Sequence, residues 1–171
     1  MVPRARWFDR TFRFDLPVWM YPNVVERVRG TPARLAERLA GVPRDLLTRR
    51  DGDHWSIQEH AGHLLDLEPL WLGRLDDFAA GRETLRPADL QNRATHEANH
   101  NARLLGDILA AFRTARAALV ARLEGYDAAF VERTAGHPRL GTPMRGLDHV
   151  FFVAEHDDHH LAAITERIAR G

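Results

Sequence analysis

The chain has 171 residues, enough for one domain with a sizeable core, and its 44% hydrophobic and 28% charged content is typical of a globular protein. Its 24 basic and 24 acidic side chains cancel, which argues against binding to nucleic acid or to an anionic membrane. It contains no cysteine, so disulfides, iron–sulfur clusters, thiolate metal sites and a cysteine nucleophile are excluded.

The first thirty residues mix charged and aromatic side chains and contain no apolar segment long enough for a signal peptide or a membrane span. We therefore expect a cytoplasmic protein without a membrane partner. All of its basic residues are arginine, which excludes Schiff-base chemistry through lysine. The length predicts a single domain over residues 1–171, with an N-terminal arm in residues 1–22 and a helical bundle in residues 23–171.

The N-terminal arm alternates aromatic with charged side chains and contains Pro3 and Pro17, so we predict irregular structure that packs on the bundle. The first helix follows in two pieces, of which residues 23–29 are the first. Thr31 is predicted as the N-cap of the second piece, with Pro32 at its first helical position.

The second helix is predicted over residues 56–80 and has the clearest start signal in the chain. Ser56, followed three residues later by Glu59, forms a capping box. Apolar residues then keep helical spacing up to Gly81. Pro69 removes one backbone hydrogen bond inside this pattern, which predicts a kink rather than a break.

The rest of the chain predicts two further helices. A long loop is expected over residues 81–95, and the third helix ends at Gly125. Thr142 and Pro143 predict the N-cap and first position of a fourth helix that runs to about Arg170. Four amphipathic helices without a convincing strand predict an all-α four-helix bundle.

Histidines supply the candidate chemistry. His156 and His160 are four residues apart, so they lie on one helical face and can hold one metal ion. Such a pair can also be a solvated surface, but the apolar run of residues 147–154 before it favours burial. His159 could replace His160 by its i, i+3 spacing. His149 lies about 10 Å along the helix axis from His156, too far to share the ion.

A third ligand must come from another helix. The candidates are His60 and His63 in the second helix, and spacing alone favours His63 only slightly. His96 and His100 form a second pair with helical spacing, but polar neighbours surround them. We therefore predict that this second pair is exposed.

Two motifs occur together with two shorter segments. The motifs are Trp55-Ser56-x-x-Glu59-x-x-x-His63-Leu64 and Glu155-His156-x-x-x-His160-Leu161-x-x-Ile164. The shorter segments are Arg27-x-Arg29-x-Thr31-Pro32 and Gly141-Thr142-Pro143. From about residue 24 onward, this combination resembles the DinB/YfiT-like superfamily. The resemblance implies a four-helix bundle, often a homodimer, with one divalent metal ion per chain held by His63, His156 and His160.

Relatives in that superfamily include transferases and isomerases that use mycothiol or bacillithiol, and others are described as metal-dependent hydrolases. Three neutral imidazoles leave a coordination position open, as in catalytic zinc sites. Such ligands suit zinc or nickel first, and iron, copper or manganese are further possibilities. Because the chain has no cysteine, a thiolate nucleophile has to come from a small molecule.

We therefore expect a metal-dependent thiol S-transferase whose partners are a low-molecular-weight thiol and an electrophilic substrate. The alternative is a metal-dependent hydrolase that uses metal-bound hydroxide. In that case Glu59, one turn before His63, is a candidate general base or a support for the metal ligand, although its capping role is the simpler interpretation. A third alternative is a metal- or ligand-binding protein without catalytic activity.

Overall fold

The computed structural model describes residues 2–171, most of which are helical. The α-helices in chain order are α1 (Tyr21–Arg29), α2 (Thr31–Leu39), α3 (Arg44–Thr48), α4 (Ile57–Asp66), α5 (Glu68–Ala79), α6 (Arg93–Glu97), α7 (Leu105–Glu124), α8 (Ala128–Val131) and α9 (Gly146–Ala169). Short 3-10 turns lie at Trp7–Asp9, Val18–Met20 and His100–Ala102, and two strands are β1 (Thr134–Gly136) and β2 (Pro143–Arg145).

The long helices form a four-helix bundle, which confirms the predicted fold class. The successive helices α1 and α2 make one rod of the bundle, and α4 and α5 make a second. Helices α7 and α9 are the other two rods, and each packs against both of the divided ones. No helix in residues 2–171 is long and apolar enough to cross a membrane.

The core has two parts. One apolar cluster gathers around α1, α5 and the first half of α9, and includes Trp71 and Phe152. The other gathers around α2, α4 and the end of α9, and includes Leu64 and Ile164. The segment of α9 between Phe152 and Ile164 therefore passes from one apolar cluster to the other, and this segment carries the candidate histidine pair.

The N-terminal arm is mostly irregular, as predicted, with residue 1 outside the described part of the chain. Helix α1 begins at Tyr21, two residues earlier than the expected boundary. The arm is held on the bundle by aromatic contacts, such as that between the rings of Trp7 and Phe152, whose centroids are 5.1 Å apart. Such contacts stabilise a segment that has no helical period of its own.

The predicted capping role of Thr31 is wrong. Gly30 has helical backbone angles (φ −73°, ψ −15°), so Thr31 lies inside the helical path from α1 to α2 and makes no side-chain cap. Its hydroxyl instead donates a hydrogen bond of 2.7 Å to Oδ2 of Asp157 in α9. A buried carboxylate needs donors, and this demand outweighs the local preference of threonine for a helix start.

The capping box at Ser56 and Glu59 is confirmed. The Ser56 hydroxyl accepts from the backbone N–H of Glu59 (3.1 Å), and the Glu59 carboxylate accepts from the N–H of Ser56 (2.8 Å). The predicted single helix is nevertheless divided at Leu67 into α4 and α5, with Pro69 in the first turn of α5. Only Leu67 interrupts the helix, and its backbone angles stay in the helical region (φ −88°, ψ −9°). The division preserves the bonds from Leu67 N to His63 O (3.2 Å) and from Trp71 N to Leu67 O (3.1 Å).

The connection before the last helix differs from the prediction. Pro143 does not begin the helix but lies in β2, which pairs antiparallel with β1. Helix α9 begins three residues later at Gly146, where the Asp148 carboxylate accepts from the backbone N–H of Arg145 (2.9 Å). Proline is tolerated both at the first position of a helix and at the first residue of an edge strand, so Pro143 is compatible with either. The third helix ends at Glu124, and Gly125 follows it as predicted.

Candidate metal centre

Three histidines from two helices meet inside the bundle. His63 of α4 and His156 and His160 of α9 each offer one nitrogen atom, and these atoms all lie within 4.8 Å of one another. The three side chains are buried, with exposed fractions of 3%, 4% and 6%. These are the three residues that the family resemblance identified, and the structure brings them together.

The spacing of the nitrogen atoms suits a metal ion. Nε2 of His156 and Nε2 of His160 are 3.2 Å apart. Two imidazole ligands at about 2.0–2.1 Å from a tetrahedral ion have nitrogen atoms separated by roughly 3.3 Å. The set consists only of imidazoles, so it leaves both charges of a divalent ion uncompensated.

His63 is oriented by a chain of hydrogen bonds. Its Nδ1 lies 2.9 Å from the Thr95 hydroxyl, which donates to Oδ2 of Asp66 at 2.8 Å. His100 also reaches this carboxylate oxygen through its Nε2 at 2.8 Å. Because the threonine proton is used for Asp66, His63 must donate its Nδ1–H to Thr95, which leaves Nε2 as the free nitrogen.

The prediction that His96 and His100 are both exposed is wrong for His100. His96 is exposed as predicted, but His100 is buried, with 1% of its surface exposed. A Cβ atom on Gly62 would lie 2.2 Å from the His100 ring, so only glycine at that position of α4 leaves room for the ring. Neither Thr95 nor Asp66 was identified from the sequence. A glycine in the middle of a strongly patterned helix was the available signal that something packs there.

His60 supports the cluster from outside. Its Nδ1 is 2.9 Å from Nδ1 of His160. When Nε2 of His160 serves as a ligand, its Nδ1 carries the proton and donates it to His60. His60 therefore lies beside the group of three as a partner of His160, and the residue of α4 that belongs to the group is His63.

His156 is enclosed by aromatic rings and followed by a buried ion pair. Its ring centroid lies 5.1 Å from that of Trp7 and 5.5 Å from that of Trp71, and its buried Nδ1 has no hydrogen-bond partner among residues 2–171.

The next residue, Asp157, pairs with the buried Arg116 of α7, which also binds Glu68 of α5 at 2.6 Å. This network was not predicted from the sequence, although it ties three rods of the bundle together at the level of the histidines.

Burial keeps the three histidines neutral. It lowers the pKa of His63 to about 4 and the pKa values of His156 and His160 well below the usual 6.5. The neutral imidazole is the form that binds a metal ion. At neutral pH the cluster therefore presents lone pairs, without a proton to displace from the ligating nitrogens.

The other candidate residues lie outside the group of three. His159 is half-buried, and its Nε2 is 2.8 Å from a guanidinium nitrogen of Arg4. His149 is buried with its Nε2 3.3 Å from the Trp71 carbonyl, in agreement with its exclusion as a ligand. His54 is exposed.

Glu59 caps the start of α4 and does not line the cavity beside the histidine cluster. Its carboxylate accepts from Ser56 and from the guanidinium of Arg50. Burial alone would raise the pKa of Glu59, but these hydrogen bonds outweigh it and lower the pKa to about 2. A carboxylate with so low a pKa is a weak base.

The cluster opens into a cavity of about 370 Å³. Apolar and aromatic side chains form most of its wall, together with five histidines at the cluster and polar groups at the far end. Its aromatic lining residues are Trp7, Phe8, Trp55, Trp71 and Phe152. A concave apolar site with a few converging polar groups is the usual form of a small-molecule site.

Comparison with known proteins agrees with this architecture. One solved structure matches this chain with a TM-score of 0.76. Its description reads "YfiT from Bacillus subtilis is a probable metal-dependent hydrolase with an unusual four-helix bundle topology". It is 20% identical, and the match covers 94% of this chain and 93% of that chain. No curated protein sequence matches significantly. Residues 27–164, which contain all three clustered histidines, match the DinB superfamily. The chain therefore belongs to the DinB superfamily.

Proposed function

We propose that this protein is a divalent-metal-dependent enzyme that transfers a low-molecular-weight thiol to an electrophilic substrate. His63, His156 and His160 hold the ion, with zinc or nickel as the expected metal. One observation supports this proposal most: three neutral, buried imidazoles meet at the floor of an apolar cavity, without a carboxylate in the set. A structural zinc site would have four protein ligands, whereas three leave a position for a reactant.

The bound ion would act as a Lewis acid that lowers the pKa of a coordinated thiol or water toward neutrality. The protein's own groups prepare the site for it. Thr95 and His60 orient the two imidazoles that they contact. The rings of Trp7 and Trp71 cover His156 and exclude bulk water, which strengthens electrostatic interactions inside the cavity.

The lining of the cavity favours a thiol over water as the nucleophile. Its carboxylate, Asp89, already accepts from the backbone N–H groups of Gln91 and Arg93. Glu59 is engaged elsewhere, so neither carboxylate is free to take a proton from water. A thiol needs less help because its pKa is much lower than that of water. The thiol would lose its proton to solvent when it binds the ion, its sulfur lone pair would form the new bond to carbon, and the leaving group would depart with its electrons.

A metal-dependent hydrolase is the second candidate. It is supported by the similarity in fold to YfiT, which is described as a probable metal-dependent hydrolase. In that case water would enter the open position and would have to lose its proton to solvent, because Nδ1 of His60 already accepts from His160. The homodimer and the cytoplasmic location remain predictions, and sedimentation velocity tests the first of them.

Thiol dependence distinguishes the two candidates. The metal-loaded protein is incubated with a halogenated aromatic electrophile, with and without bacillithiol, mycothiol or glutathione. We expect product only when a thiol and the metal are both present, and no product from His63→Ala. Turnover of ester or amide substrates without thiol would favour the hydrolase. If a broad substrate panel gives no turnover under either condition, the protein binds a metal or ligand without catalysis.

A further inference from the structure

The end of the cavity away from the histidine cluster contains a buried cation without a counterion. Arg74 of α5 lines the cavity, and only 1% of its surface is exposed. The nearby Asp77 is paired with Arg86, which it binds through both carboxylate oxygens at 2.9 Å. Within residues 2–171, the only carbonyl or carboxylate oxygen that accepts from the Arg74 side chain is the backbone carbonyl of Arg86, at 3.2 Å from Nε.

His137 cannot compensate this charge. Nη1 of Arg74 lies 3.2 Å from Nε2 of His137. The other ring nitrogen, Nδ1, accepts from the backbone N–H groups of Arg139 (3.3 Å) and Leu140 (3.1 Å). A neutral imidazole carries one proton, and Nδ1 is the acceptor, so the proton is on Nε2 and faces Arg74. Two donors therefore meet without an acceptor between them.

A second guanidinium lies at the same end. Arg139 lines the cavity beside His137, and its Nη2 is buried without a hydrogen-bond partner among the described residues. Burial lowers the pKa of Arg74 to about 10 despite the opposing effect of the nearby Asp77 carboxylate, and the group stays charged at neutral pH. Buried charges and donors without partners are unfavourable, because each has lost its hydration.

We infer that the Arg74, His137 and Arg139 side chains form a subsite for the carboxylate of a small organic acid. A carboxylate there would accept from the guanidinium groups and from Nε2–H of His137, and would supply the missing countercharge. Planar guanidinium groups match a carboxylate through paired hydrogen bonds. This inference rests on the proposed function, since it takes the histidine cluster as the reacting end of the same cavity.

The position of Trp71 sets the size of the acid. Its ring centroid lies 5.5 Å from that of His156 and 5.6 Å from the guanidinium carbon of Arg74. One indole ring thus separates the reacting end from the cationic end. Phe152 also lines this part of the wall, with its ring 5.0 Å from His137. The substrate class is therefore an acid whose reactive carbon is separated from its carboxylate by about the width of one aromatic ring.

Binding of a matched pair of probes tests this subsite. Phenylacetate and its neutral analogue phenylacetamide have nearly the same shape, and calorimetry measures their affinities for the full chain. The protein is first freed of metal with a chelator and dialysed, so that the carboxylate cannot bind to an ion. We expect the acid to bind roughly tenfold more tightly than the amide, or better, because hydrogen bonds to charged groups are the stronger ones.

Variants locate the preference. Arg139→Gln should reduce the acid-to-amide ratio to near one, whereas Arg133→Gln, at an exposed arginine outside the cavity lining, should leave it unchanged. Arg74→Gln should have the same effect as Arg139→Gln, provided that its melting transition is retained. Arg139 is only partly buried, so its variant tests the subsite even if Arg74→Gln does not fold.

Three results would overturn the subsite: equal affinity for the two probes, a preference that survives in Arg139→Gln, or no binding of the acid at its highest soluble concentration. These results are separate from failure of the proposed function. A protein that prefers the acid but binds no metal would retain the subsite and lose the enzyme. Thiol-dependent turnover without a preference for the acid would do the reverse.

Discussion

The Nδ1 atom of His63 and the hydroxyl of Thr95 are 2.9 Å apart, and this contact joins a residue of α4 to one of α6. The threonine proton goes to Asp66, so the direction of the contact is determined and Nε2 of His63 is left for a metal ion. Substitution of a residue that orients a metal ligand in this way commonly lowers metal affinity, although the ligand itself is retained.

Thr95→Val should therefore weaken metal binding without removing any of the three histidines. The substitution keeps the shape of the side chain but deletes the acceptor for His63 and the donor for Asp66. We expect roughly 10- to 100-fold lower affinity, measured by competition with a chromogenic chelator. Thr114→Val is the control, because the exposed Thr114 hydroxyl bonds only to the carbonyl of Ala110 in its own helix. Unchanged affinity in Thr95→Val would contradict the orienting role.

Removal of any one ligand should abolish stoichiometric metal. His63→Ala, His156→Ala and His160→Ala each leave two imidazoles, too few to hold a divalent ion firmly in this site. Metal content is measured by mass spectrometry after dialysis. His96→Ala is the control, because its side chain is exposed and lies outside the cluster. Full metal content in His63→Ala, with a normal melting curve, would show that the ion is bound elsewhere.

Gly62→Ala should damage the site indirectly. Its Cβ would lie 2.2 Å from the His100 ring, so the ring and its bond to Asp66 must move. We expect a loss of about 1–3 kcal/mol of unfolding free energy, as for other overpacked positions. Gly106→Ala in α7 meets no atom within 4 Å and should instead stabilise the protein by about 0.4–1 kcal/mol. Denaturant titration compares the two, and equal effects would rule out close packing as the cause.

Metal removal should affect function more than folding. The apolar clusters on both sides of the histidines contain large buried side chains such as Trp71, Leu75 and Phe112. Each contributes on the order of 1.5–3 kcal/mol when buried, so the bundle does not depend on the ion. Chelation should leave the helical circular dichroism signal nearly intact, lower the melting temperature and eliminate activity. Loss of the cooperative transition would instead identify a structural site.

The Glu59 carboxylate should make the free energy of unfolding depend on pH in the acidic range. Its pKa falls from an ordinary value of 4.5 to about 2 in the folded protein, because the hydrogen bonds from Arg50 and Ser56 outweigh the opposing effect of burial. A lowered folded-state pKa stabilises the protein above the unfolded value and loses this contribution as pH falls toward 2. Glu59→Gln should therefore be less stable than wild type at pH 6, and the difference should shrink below about pH 4.5. Urea titrations at several pH values measure it, and a constant difference would contradict this account.

The sequence by itself determined the features that depend on spacing along one helix. The capping box at Ser56 and the end of α7 before Gly125 follow from local backbone groups, and the 3.6-residue period places His160 on the face of His156, although it left His159 as an alternative. The apolar periodicity of four segments was also sufficient for the bundle. Each helix, cap and helix end depends on interactions among a few neighbouring residues, so the local sequence is sufficient to predict it.

Only the tertiary structure decided which groups meet across helices. Spacing left His60 and His63 nearly equivalent, and the packing of α4 against α9 separates them. The burial of His100 and the engagement of Thr31 by Asp157 contradicted local preferences. In both cases a carboxylate from a distant segment takes the hydrogen bond: the fully buried Asp157 for Thr31 and the partly buried Asp66 for His100. Such partners lie far away along the chain, and the free energy of satisfying a buried charge exceeds the few tenths of a kcal/mol by which local propensities differ.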